Sequence, residues 1–161
     1  MSSNNVLSFP QQDITIGGPV HDASVSLCIY GDELDPDEIT QLLGQSPPRS
    51  HRRGDRLKPS GPSFRTGAWI YQVESEVAPD APELVLVHLL DRLPSDPAFW
   101  TQLGQRYDIR ISICIGFEGW NKGFTLSTRN IQRVAALGTR MDFDLYASEN
   151  MPPEFDDSTT T

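Results

Sequence analysis

Apolar and polar residues alternate with a period of two in several stretches of the chain. In residues 24–30 (SVSLCIY), Val25, Leu27 and Ile29 fall on one face and Ser24, Ser26, Cys28 and Tyr30 on the other, which predicts a half-buried strand. Residues 68–75 (AWIYQVES) set Trp69, Tyr71 and Val73 against Ile70, Gln72 and Glu74 in the same way. The clearest run is 109–117 (IRISICIGF), with Ile109, Ile111, Ile113, Ile115 and Phe117 on one side. A glycine-rich turn over 118–123 leads to a shorter expected strand, 124–127. The last strand, 141–146, puts Met141, Phe143 and Leu145 inward and Asp142, Asp144 and Tyr146 outward.

Helical spacing fills the gaps. Asp35-Pro36-Asp37-Glu38 supplies an N-cap, a proline at the first helical position and acids in the first turn; Ile39, Leu42 and Leu43 follow at helical spacing and Gly44 closes the segment. Pro82-Glu83 opens an apolar helix over 84–93 that Pro94 ends, and Ser95-Asp96-Pro97 recaps a turn through Phe99, Trp100 and Leu103. Ser127 or Thr128 caps a helix over 130–137, which Gly138 terminates.

From Trp69 onward the order reads β-α-β-β-α-β, a ferredoxin-like core with one βα unit added in front. The expected class is α+β: a two-layer sandwich with about five mostly antiparallel strands and helices on one face. Residues 21–147 form the single domain, between a polar tail at 1–20 and an acidic one at 148–161, both expected to be mobile. SLCIYG followed by ITQLLG, and SICIGF followed by VAALG, echo one another as a duplicated unit would, although Ser, Cys and Ile also recur by chance in β-rich runs.

Composition agrees with a single core: 161 residues, 37% hydrophobic and 9% aromatic. The net charge of -9 repels polyanions, so general nucleic-acid and anionic-membrane binding are disfavoured. Cys28 and Cys114 stand far apart outside any metal-spaced pattern, and no cofactor fingerprint is present. The opening residues lack the basic and apolar regions of a signal peptide, which sets a soluble, cytoplasmic protein as the expectation.

Against this acidic background residues 45–67 stand out as a long loop in which no regular element is expected, with four prolines and three glycines. Arg49, Arg52, Arg53, Arg56, Lys58 and Arg65 meet there the single acid Asp55. Such an island suits a carboxylate, a phosphate or an acidic partner, and equally suits neutralising Asp32, Glu33, Asp35, Asp37 and Glu38 nearby. His51 beside Asp55 invites a catalytic pairing, but no nucleophile completes it. The candidate binding residues are His51, Arg52, Arg53 and Asp55 with Trp69 beneath them, and Trp120, Asn121 and Lys122 of the turn, where an exposed indole offers a flat contact.

YGDELDPDEITQLLG, PPRSHRRGD, GAWIYQVES and GFTLSTRNIQRVAALGTRMDFDLY together resemble the bacterial domain of unknown function 4279 family over about residues 23–147. The resemblance implies a small bacterial cytosolic protein and carries no catalytic residue or cofactor across; by association it suggests an immunity or accessory role. The leading expectation is a non-enzymatic module that docks another protein through the basic loop, the turn and the adjoining sheet edge. The alternative is a sensor or enzyme holding an anionic small molecule over the loop, which would require a concave pocket there.

Overall fold

A computed structural model describes residues 20–74, 78, 80–117 and 122–147. The elements in chain order are β1 (Asp22–Gly31), α1 (Pro36–Leu43), β2 (Arg49–His51), β3 (Gly67–Glu74), α2 (Pro82–Leu90), α3 (Pro97–Arg106), β4 (Asp108–Phe117), α4 (Thr128–Ala136) and β5 (Arg140–Ala147). The strands make one sheet in the order β2-β3-β1-β4-β5. Three pairings are antiparallel and β4–β5 is parallel. The class is therefore α+β, with a five-stranded mixed sheet.

Side-chain alternation decides how that sheet is covered. Val25, Leu27 and Ile29 of β1 pair with Val73, Tyr71 and Trp69 of β3 and with Ile113, Ile111 and Ile109 of β4. These side chains join Ile39 of α1, Val85, Leu86 and Leu89 of α2, Trp100 of α3 and Val134 of α4 in one buried cluster. Helices and apolar sheet face are thus a single core. The other face presents Ser26, Cys28 and Tyr30 of β1 flanked by Ile70 and Gln72 of β3 and Arg110 and Ser112 of β4.

The helix ends follow the sequence signals. Asp35 caps α1 by accepting from the Asp37 N–H at 3.0 Å, and Gly44 leaves it at φ 65, a left-handed conformation in which glycine carries no Cβ penalty. Ser127 accepts from the Asn130 N–H at the start of α4. Glu83 of α2 fixes the approach to that helix: one carboxylate oxygen accepts from the Ser127 N–H at 2.6 Å and from the buried Asn130 amide at 2.8 Å. These bonds hold the Glu83 carboxyl below the ordinary glutamate range.

Two expectations change. Residues 124–127 are not a strand: the Ser127 N–H is drawn to Glu83 and Phe124 turns toward the Phe143 ring, so the segment has no sheet partner. The fifth strand comes instead from inside the supposed loop, where Arg49, Ser50 and His51 pair with Ile70, Trp69 and Ala68. From β3 onward the order is therefore β-α-α-β-α-β, without the extra strand that the ferredoxin-like reading required. In the two echoing halves the strands flanking the helix are sheet neighbours, β1 with β3 and β4 with β5, but the first pair is antiparallel and the second parallel.

Candidate functional site

The basic segment folds onto the sheet as a hairpin. The Gly54 N–H donates to the Phe64 carbonyl at 2.9 Å, the Phe64 N–H donates to the Asp55 carbonyl at 2.8 Å, and Arg56 bridges to Ser63. Gly54 takes φ 89 at the entry, a conformation suited to glycine. Because Arg49 and His51 share the face of Ile70 and Ala68, the hairpin stands beside the face that the helices leave uncovered. His51 stacks on Phe64 with ring centroids 3.6 Å apart and planes 16° from parallel, joining strand to hairpin.

Between hairpin and sheet lies a cleft of about 650 Å³, within the range of small-molecule sites. Arg49, His51 and Ile70 line it from the sheet, and Asp55, Arg56 and Phe64 from the hairpin. Leu57 also reaches it and is 82% exposed. Arg49 donates to the Gln72 side-chain oxygen at 3.1 Å and Arg56 to the Pro59 carbonyl at 3.4 Å; neither pairs with a carboxylate among the described residues. Asp55, the acid in the cleft, has one carboxylate oxygen engaged by the Arg52 N–H at 2.8 Å. The cleft thus combines two guanidiniums, an imidazole, the Asp55 carboxylate and an apolar wall.

Two other arginines of the segment, Arg52 and Arg53, are committed to α1 and the turn before it. Arg52 pairs with Asp35 at 2.6 Å and Asp37 at 2.7 Å, and Arg53 with Asp32 at 2.7 Å. Neutralisation of neighbouring acids, one of the two readings of the basic island, therefore accounts for these two side chains. Trp69 is fully buried and donates its indole N–H to the Thr40 hydroxyl at 3.1 Å, so its place is in the core, on the face opposite the cleft. Lys122 lies by the groove at the other edge of the sheet. Trp120 and Asn121 are outside the described residues, as are both tails. Of the residues singled out from sequence, His51 and Asp55 meet in the cleft. Arg49 and Arg56 stood out only as members of the basic island, and Phe64 and Ile70 not as site residues at all; the available signal was the alternation of Arg49 and His51 about Ser50.

The middle of the uncovered face holds protonated groups. Burial pushes the Cys28 thiol up, partly offset by its hydrogen bond with Tyr30, and pushes the Tyr30 phenol to about 12, with Cys28 adding to the rise. Cys114 is also raised, by burial and then by Asp144. The Arg110 guanidinium sits 4.8 Å above the Tyr30 ring and is paired with Asp108 and, at 3.6 Å, Asp142. A second concavity beside Tyr30 is lined by Asp32, Arg106, Asp108 and Arg110. Each of these charges already has an opposite partner. Neither thiol is poised as a thiolate nucleophile, and no group of three metal-ligating side chains occurs among the described residues.

The raised Tyr30 pKa gives a stability signature. A phenol held near 12 in the folded chain and near 10 when unfolded favours folding fully below about pH 10, and that contribution is lost as pH rises toward 12. Urea melts across this window should therefore show a fall in stability that is shallower in Tyr30→Phe; identical slopes for the two proteins would refute the assignment.

The model of one protein family, described as Domain of unknown function (DUF4279), matches residues 21–148. No curated protein and no solved structure matches the chain.

Proposed function

We propose, for a chain that belongs to the DUF4279 family, the role of a ligand-binding module that receives a small anion with an aromatic or aliphatic body in the cleft between β2 and the hairpin. The observation that carries this reading is the pair Arg49 and Arg56, which share a concave site without a carboxylate partner among the described residues. A guanidinium engages a carboxylate or phosphate through two parallel N–H groups. Phe64, Leu57 and Ile70 give the ligand's apolar part a surface that water leaves on binding. Binding is favoured over catalysis because the nearby thiol and phenol are both held protonated.

Docking of a protein on the same loop has less support, since Arg52 and Arg53 are turned to α1 and its preceding turn and Trp69 is interior. No described helix is long and apolar enough to cross a membrane. The setting we assign is the bacterial cytosol, supported by the family resemblance and by the free thiols Cys28 and Cys114.

Calorimetric titration of the full chain with phenyl phosphate, benzoate, inorganic phosphate and benzylamine tests the reading. Phenyl phosphate is expected to bind more tightly than inorganic phosphate, and benzylamine not to bind. Absence of saturable heat with every anion, or equal affinity for benzylamine, would overturn it.

A further inference from the structure

The sheet has two edges, β2 and β5. β2 is three residues long and runs into the hairpin. β5 runs for eight residues without proline, glycine or lysine and, among the described residues, pairs on one side only, with β4. A long edge strand offers its outward N–H and C=O groups to a further strand. Its side chains favour such an addition. On the core-facing side Phe143 and Leu145 are 46% and 62% exposed, and Ile115, Phe117, Phe124 and Leu145 line a groove of about 310 Å³ that Lys122 also borders. On the other side Asp142 is held by Arg110 and Arg140, whereas Asp144 has no cation partner among the described residues and neighbours the 62% exposed Tyr146 across one intervening residue.

We infer that β5 accepts an added strand from a partner protein whose segment alternates apolar and basic residues. The apolar side chains cover Phe143 and Leu145 and enter the groove, while an arginine on the opposite face meets Asp144 and the Tyr146 ring. Charge complementarity selects this occupant: the edge leaves one carboxylate unmatched, and the whole chain carries -9. A second copy fits less well. Antiparallel self-pairing centred on Phe143 sets Asp142 against the copy's Asp144, and pairing centred on Asp144 sets that residue against its own copy.

The test titrates the full chain with a fluorescein-labelled peptide alternating valine and arginine, beside a control alternating valine and glutamate, with amide hydrogen exchange and sedimentation velocity in parallel. The valine–arginine peptide is expected to bind saturably and slow exchange along β5. Asp144→Lys and Leu145→Ser should each weaken it by about tenfold, while Arg49→Glu, in the cleft, leaves it unchanged. Equal binding of both peptides, binding of neither, or indifference to both edge variants would overturn the inference. So would concentration-dependent dimerisation that protects β5, or β5 protection in the free chain that disappears when residues 148–161 are removed.

Discussion

Ile113→Asp is expected to abolish cooperative folding. Ile113 lies fully buried in β4, paired with Val25 of the central strand on one side and Phe143 of β5 on the other. A carboxylate there has no cation or donor within the apolar cluster around it, and burying an unpaired charge costs several kcal/mol. The lost packing of the isoleucine adds about 2–5 kcal/mol, by analogy with large-to-small core changes. Together these match the total stability of an ordinary domain, about 5–15 kcal/mol. Phe143→Asp is the informative control, because it occupies the same row and face but is 46% exposed. The control should retain a cooperative thermal transition by circular dichroism; a cooperative, unshifted melt for Ile113→Asp would refute the core assignment.

The same contrast explains how much of the fold was legible in the sequence. β1, β4 and β5 announce themselves because one face of each is apolar at every second residue over six or more positions, and α1 because its cap, proline and terminal glycine are all local signals. β2 carries no such signal. Three residues, Arg-Ser-His, become a strand only because β3 offers them a ladder, and that information lies about twenty residues away in Ala68, Trp69 and Ile70. The strand expected at 124–127 failed for the converse reason: its sequence suits a strand, but Glu83 of α2 claims the Ser127 N–H. Tertiary pairing overrode propensity in both places.

The candidate site was legible as a region rather than as a set of residues. Six cations in one segment mark an electrostatic anomaly, but sequence does not say which of them find acids. Arg52 and Arg53 reach Asp35, Asp37 and Asp32 because the hairpin base abuts α1 and its preceding turn; Arg49 points the other way because strand alternation puts it on the face of Ile70. Trp69, a natural candidate for a flat binding surface, is interior because it shares its face with Tyr71 and Val73.

That division of the arginines leads to a second large effect, which separates the cleft from the ion pairs beside it. Arg49→Glu should reduce the affinity for phenyl phosphate at least about a hundredfold, or roughly 2.8 kcal/mol at 1.4 kcal/mol per decade, because it removes a donor fork and places like charge against the ligand. Its fold should survive, since Arg49 is exposed on an edge strand and its one side-chain hydrogen bond goes to Gln72. The double change Arg52→Ala with Arg53→Ala removes only exposed ion pairs, which contribute little to stability. It also spares Asp55, whose carboxylate is engaged by the backbone N–H of residue 52 rather than by its side chain. The double variant should therefore bind within about threefold of the parent, because each guanidinium it deletes is directed at α1 or its preceding turn and not into the cleft. Calorimetry on the three proteins reads the difference directly. Equal losses in both variants would transfer the anion to the ion-paired arginines, and an unaffected Arg49→Glu would remove it from the cleft.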